Sequence, residues 1–346
     1  MVHGTLESPS VVFETWGKLN TDKTNAVMIF SGLSPSSHVA SSPADPKTGW
    51  WEDIVGPNKP IDTNKYFVIC ANSLGSCFGT TGPASIDPKT NKAYRLTFPK
   101  LCIEDIAQAG KKVLDHLDIS ILHTVMGPSM GGMTALAFTL ANPGRAKRLV
   151  SISAAARSSP FAIAIRSLQR EMIRTDESWN NGNYEFSEPP AKGMRMARKL
   201  GMISYRSAEE WLIRFGRERA MDIASNNKSA ALDFEIESYL EAHAHKFVGT
   251  FDANCYLYLS RAMDLFDATD YCHDGTGKLN LDGVISATII GVETDFLFPL
   301  QQQTDLAELI SETNTSVNFK SLPSLQGHDS FLVDVDRFRP TIASCF

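Results

Sequence analysis

Six short runs of aliphatic and β-branched residues recur along the chain: AVMIFSG (26–32), KYFVICAN (65–72), LHTVMG (122–127), RLVSISA (148–154), ATIIGV (287–292) and VNFKSL (317–322). Runs this short and this apolar read as buried strands. Helical spacing predicts IEDIAQAGKKVLDHL (103–117), with Ile103, Ile106, Ala107, Ala109, Val113 and Leu114 near one face. It also predicts GMTALAFTLA (132–141), which stops before Asn142-Pro143-Gly144. Strands alternating with helices predict an α/β fold, a mostly parallel sheet with helices on both faces. The alternation fails between about 156 and 270, where SPFAIAIRSLQREMIRTD, KGMRMARKLGMISY, SAEEWLIRFGRERA and FEIESYLEAHAHKFV all keep helical period. The pattern therefore predicts one α/β core, 1–155 and 271–346, interrupted by a helical lid insertion at 156–270. No internal repeat or low-complexity linker divides it.

Composition narrows the class. With 43% hydrophobic and 21% charged residues in 346, the chain is ordinary for a water-soluble globular protein. No run approaches the roughly 20 apolar residues that span a bilayer, and MVHGTLESPSVVFETWG has no secretory pattern, so a cytoplasmic protein is expected. The six cysteines form no CxxC pair, which suits reduced thiols and predicts neither disulfide framework nor metal site. A net charge of −6 argues against nucleic-acid binding. The stretch Arg157–Arg219 nevertheless carries twelve Lys/Arg against eight Asp/Glu. Such a basic segment could meet an anionic small molecule, although surface ion pairs account for most of it.

The chemistry concentrates at Gly127-Pro128-Ser129-Met130-Gly131, which fits G-x-S-x-G between a predicted strand and a predicted helix. In that setting small neighbours let the backbone turn sharply and hold the hydroxyl out as a nucleophile. A serine needs a base, and the base an orienting acid. Asp295 directly follows ATIIGVET, and His328 follows SLPSLQG, in the chain order Ser, Asp, His that this elbow uses. His116 and His123 flank the sheet as structural residues. His243 and His245, at i and i+2 on a helix, point to different faces and do not suggest a metal pair. An oxyanion hole would use the amide of Met130 and one from SGLSPSSH (31–38). Pro35 has no N–H, so Leu33 or Ser34 supplies it, with Leu33 the expected donor.

The segments ETWGKLN, GWWEDIVGPNKPIDTNKYFVICANSLGS, TGPASIDPKT, GPSMGGM, GMRMARKLGMISYRS, DANCYLYLSRAMD and QGHDSFLVD together resemble the homoserine/serine O-acyltransferase family of α/β-hydrolase fold. The resemblance runs from about Val11 to Phe338. Within that family GLSPSSH, NSLGSCFGTTGPAS and SSPFAIAIRSLQRE are most similar to bacterial serine O-succinyltransferases, and next to fungal serine O-acetyltransferases. The resemblance implies acyl transfer from acyl-CoA, either succinyl-CoA or acetyl-CoA, through an acyl-Ser129 enzyme to an amino-acid hydroxyl, with no bound cofactor. It implies that Arg198 in MARKLG binds the α-carboxylate of L-serine or L-homoserine, and that Asp329 receives the α-ammonium. Arg166 in AIAIRSLQ corresponds to an arginine tied to acyl-CoA choice. Its competing reading is an ion pair with a nearby acid on a helix surface. Pro128 departs from the Gly-Gly of many relatives, stiffening the elbow without removing an amide that the oxyanion hole needs.

Succinyl transfer to L-serine, feeding cysteine synthesis, is the function expected. Homoserine O-acetyl- or O-succinyltransfer in methionine synthesis, serine O-acetyltransfer and plain ester hydrolysis are the alternatives. A non-catalytic binding protein on the same fold would have lost one of Ser129, Asp295 or His328. The apolar stripes of the insertion predict a homodimer through the lid helices.

Overall fold

The computed structural model describes residues 1–220, 232–272 and 277–346. Parts of the expected insertion (221–231) and of the expected second core segment (273–276) lie outside the described residues. The main sheet comprises β1 (Phe13–Trp16), β2 (Ala26–Phe30), β3 (Phe67–Ala71), β4 (Thr124–Pro128), β5 (Arg148–Ile152), β6 (Ser286–Val292) and β7 (Ser316–Leu322). Their spatial order is β1-β3-β2-β4-β5-β6-β7. All neighbours are parallel except β1, which runs antiparallel to β3 with Phe13 opposite Ala71. The six runs marked by hydrophobicity are the six parallel strands. The remaining strand, FETW, is too short and mixed for that signal.

Period-two alternation explains how one sheet supports two cores. Ala26, Met28 and Phe30 of β2 face one cluster, together with Ile69 and Leu149. Val27 and Ile29 face the other, with Val68, Val150, Trp51 and Phe338. Burial on both faces is what makes these strands continuous apolar runs.

Helices α1 (Ile103–His116), α2 (Met130–Ala141), α8 (Leu300–Ser311), α9 (Ser330–Val333) and α10 (Val335–Ala343) accompany the sheet. Between β5 and β6 lies an inserted helical region with α3 (Pro160–Arg174), α4 (Ala191–Tyr205), α5 (Ala208–Phe215), α6 (Glu235–Phe247) and α7 (Ala253–Leu265). Local chemistry starts several of them. Ser159 accepts from the Ala162 amide with Pro160 at the first helical position, and Asp252 accepts from that of Cys255. Helical period in SAEEWLIRFGRERA suggested a helix beyond Phe215, but the chain turns at Gly216 and α5 ends there. Helix α2 begins at Met130, two residues before the expected start, because Ser129 itself is the residue before its first turn. α7 has no clean stripe for periodicity to find, since nine of its thirteen residues are buried.

The elbow sets the closest approach in the core. A Cβ on Gly131 would stand 2.0 Å from the carbonyl oxygen of Phe30, so only glycine lets α2 settle on β2. Gly131→Ala is expected to cost about 3 kcal/mol, through overpacking that neither backbone can relieve, measured by urea denaturation. A loss below about 0.5 kcal/mol would contradict this packing.

Candidate active site

Ser129 sits at the C-terminal end of β4 with φ 56° and ψ −124°, a conformation L-residues rarely adopt. Its amide donates to the Ile152 carbonyl at 2.8 Å, which ties the turn to β5. Its Oγ lies 2.8 Å from Nε2 of His328, and Nδ1 of His328 lies 2.8 Å from Oδ2 of Asp295. The second carboxylate oxygen of Asp295 accepts from the amides of Leu297 and Phe298 at 3.0 and 2.9 Å. All three side chains are buried. Three residues separated by up to 199 positions thus form one hydrogen-bonded chain.

Aromatic rings surround the imidazole. Phe298 stacks on it at 5.2 Å, Phe331 meets it edge-on at 5.8 Å, and Tyr205 stands 5.9 Å away. Burial by itself pushes the His328 pKa down, but the charge and hydrogen bond of Asp295 outweigh it, and the net direction is upward. The histidine loop abuts the insertion: a Cβ on Gly327 (φ 64°) would lie 2.9 Å from backbone atoms of Arg206 and Ser207. The Ser207 hydroxyl also donates to the Leu325 carbonyl.

A cavity of about 110 Å³ opens on Ser129 and His328, walled by the 32–35 loop, Trp50, Leu297 and Leu332 from the core side. From the insertion come Ile165, Arg166, Gln169, Arg198, Ser204, Tyr205, Tyr256 and Met263. Among the described residues the amides of Leu33, Ser34 and Met130 have no hydrogen-bond acceptor, and Leu33 and Ser34 both line the cavity. The loop that carries them is anchored on β1: Ser37 Oγ donates to Glu14 at 2.9 Å, and Nδ1 of His38 lies 2.8 Å from the same carboxylate.

The cations and the acid expected from the family resemblance all reach this cavity. The Arg198 guanidinium lies 4.6 Å from the Phe247 ring centroid and its Nε has no hydrogen-bond partner, whereas the neighbouring Arg195 and Lys199 both pair with Glu241. Asp329 faces Arg206 at 3.4 Å. Burial raises its pKa against the pull of Arg206, His328 and Arg198. Arg166 pairs with an acid, Asp264, at 2.6 Å, yet it lies in the cavity wall and is only 4% exposed. The ion pair is real, and it is not on a helix surface. His116 packs edge-on against Phe13, and His123 bridges Thr124 and Arg148. His243 is bonded to the Tyr239 carbonyl of its own helix.

Comparison with known proteins gives the family and the fold. A family model for the α/β-hydrolase fold matches residues 25–335. A serine O-succinyltransferase of Litchfieldella anticariensis is 52% identical over 342 residues, covering 98% of this chain and 93% of that protein. The chain belongs to the homoserine/serine O-acyltransferase family. A solved homoserine O-acetyltransferase from Bacillus anthracis superposes with a TM-score of 0.88 at 26% identity, covering 99% of this chain and 95% of that one. Esterase E22 superposes at 0.84 and 28% identity, covering 100% and 97%. The acyltransferase architecture is therefore shared with an ester hydrolase.

In this member of the acyltransferase family several residues around His328 and the cavity carry little or no signal in the sequence. Phe298 follows Asp295 by three positions in a turn closed on the Asp295 carboxylate, a signal that aspartate-initiated turns carry. Tyr205 lies seven residues beyond Arg198, two turns along the same face of α4. Tyr256 and Gln169 had no such marker.

The raised imidazole pKa gives a pH prediction. Folding raises it above 6.5, so the imidazolium's contribution to stability is complete below pH 6.5 and is lost as pH rises through the folded value. Acylation of the enzyme, followed as thiol release, should rise with pH through an apparent pKa above 6.5. Asp295→Asn should move that midpoint down and slow the reaction by roughly 10³–10⁴-fold. A midpoint that stays in place would rule out this pairing as its cause.

Proposed function

We propose that this protein is a serine O-succinyltransferase, which moves the succinyl group of succinyl-CoA to the hydroxyl of L-serine and so supplies cysteine synthesis. The observation that carries the reading is the 52% identity with such an enzyme over 98% of the chain. The cavity chemistry fits it.

In the first half-reaction Ser129 Oγ attacks the thioester carbonyl carbon while His328 Nε2 takes the hydroxyl proton. The tetrahedral oxyanion accepts hydrogen bonds from the amides of Met130 and Leu33. It collapses by breaking the C–S bond, and His328 returns its proton to the departing thiol, leaving succinyl-Ser129 and free CoA. In the second half-reaction His328 takes the proton of the L-serine hydroxyl, whose oxygen attacks the acyl carbon. Ser129 leaves as the second intermediate collapses and regains a proton from His328. Asp295 stabilises the imidazolium throughout.

Arg198 holds the acceptor's α-carboxylate and Asp329 its α-ammonium. The unpaired Nε of Arg198 and the desolvated carboxyl of Asp329 support these roles. Arg166 receives the terminal carboxylate of the succinyl group, which an acetyl donor lacks. The helices of 156–270 act as the lid that keeps water from the acyl-enzyme. A homodimer forms through them, supported by the exposed Phe161 and Leu168 of α3 and Met196 and Ile203 of α4. The cytoplasm suits the enzyme, and no disulfide joins two cysteines among the described residues.

A two-by-two assay tests the substrates: succinyl-CoA or acetyl-CoA against L-serine or L-homoserine. The succinyl-CoA and L-serine pair should exceed each other pair in kcat/KM by about tenfold or more, the methylene between acceptors being worth about 1–3 kcal/mol. A homoserine preference would reverse the assignment, and rapid p-nitrophenyl ester hydrolysis independent of acceptor would make the protein an esterase. Ser129→Ala should abolish acyl-enzyme formation, seen as loss of the mass increment after succinyl-CoA is added. Arg198→Ala should raise KM for L-serine about 100-fold, since two charge-assisted bonds are lost, while KM for succinyl-CoA holds. Light scattering should give twice the chain mass, and a monomer would contradict the dimer.

A further inference from the structure

The Arg166 guanidinium is held from two sides. Its Nε donates to Asp264 Oδ1 at 2.6 Å, and its Nη2 donates at 2.6 Å to the Ser158 hydroxyl, which in turn donates to the Met263 carbonyl at 2.8 Å. The remaining nitrogen, Nη1, is buried and has no partner among the described residues. The other oxygen of Asp264 forms an ion pair with Nη1 of Arg170 at 2.6 Å, without hydrogen-bond geometry, and that nitrogen donates to Ser260 at 2.8 Å. Arg166, Asp264 and Arg170 are 5%, 8% and 11% exposed at their side chains. Two buried guanidiniums therefore share one buried carboxylate, and the cluster keeps one unit of positive charge.

An uncompensated buried cation with an unused N–H is costly to maintain. Without Arg170, Asp264 would neutralise Arg166 as a simple pair. With Arg170 drawing on the same carboxylate, Arg166 keeps its charge for the cavity it lines. Arg166 and Arg170 sit four residues apart on α3, so they share a face of the helix. Asp264 approaches from α7.

We infer that Arg170 and Asp264 set the enzyme's preference for a donor with a terminal carboxylate, although neither touches the donor. Asp264 fixes the direction of the Arg166 guanidinium, and Arg170 offsets the charge of Asp264. Both are positioning residues. The inference rests on the reading of Arg166 as the succinyl contact.

The experiment compares donors in the purified full chain. For Arg170→Gln, kcat/KM with succinyl-CoA should fall about tenfold, through KM rather than kcat, because the charge opposite the donor's carboxylate is weakened. KM for L-serine should hold, and kcat/KM with acetyl-CoA should hold within about twofold. Arg170→Lys keeps the charge and should retain the parent's succinyl-to-acetyl ratio within about threefold. Asp264→Asn removes the clamp and should lower the ratio as Arg170→Gln does. An equal loss with both donors in Arg170→Gln would mark a merely structural role and overturn the inference. So would an unchanged ratio in a parent that prefers succinyl-CoA and loses that preference in Arg166→Ala. A parent with no succinyl preference would instead refute the donor reading itself, and this inference with it. If Arg170→Gln does not fold, the ratios of Arg170→Lys and Asp264→Asn decide: a ratio lowered in the lysine variant or kept in the asparagine variant overturns the inference.

Discussion

Ser129 meets His328 because its backbone occupies a conformation that the surrounding packing enforces. Left to itself, a serine at φ 56° and ψ −124° would relax toward an ordinary turn. It is prevented by α2, which lies so close to β2 that a single methyl group at Gly131 would collide with the Phe30 carbonyl. The Ser129 amide is held on β5 at the same time. The sheet, the elbow and the first turn of α2 are one rigid unit, and that rigidity holds the buried hydroxyl against His328.

The other partners are held as tightly but by different means. Asp295 is fixed by two amides of its own loop and His328 by an aromatic enclosure, with Phe298 contributing to both. Phe298 also lies 5.9 Å from the Arg166 guanidinium, so one ring faces both the His328 imidazole and the cationic wall. The core supplies Ser129, Asp295 and His328. Arg166, Arg198 and Tyr205 come from the inserted helices, and Asp329 from the core loop packed against them. The α4–α5 joint lies so close to Gly327 that a Cβ there would meet its backbone, and Ser207 bonds to Leu325, so the inserted region is packed directly on the histidine loop.

Much of this was legible in the sequence because parallel strands buried on both faces are written as continuous apolar runs. AVMIF and TVMGP needed no partner to be recognised. β1 was harder: its four residues mix Glu14 with Phe13 and Trp16, and its use as the anchor of the 33–38 loop exists only in three dimensions. Ser129, Asp295 and His328 could be picked out because each follows a strand in a turn or loop. Asp264 could not, since an aspartate on a helix looks like any solvated acid until α7 packs against α3 and buries it between two arginines. The same packing makes the ion pair of Arg166, which the competing reading put on a helix surface, a buried one. Periodicity reports which face of a helix is covered, not what covers it.

The sheet order has a bearing on how the enzyme is made. β6 and β7, whose loops carry Asp295 and His328, form one edge of the sheet and are the last strands in the chain. During synthesis the elbow and most of the inserted helices leave the ribosome first, while β5 still presents a bare edge to solvent. For that interval the nascent chain carries a serine with no base beside it. Asp295 and His328 reach Ser129 only when the final segment docks, so the sheet and the hydrogen-bonded chain are completed in one event.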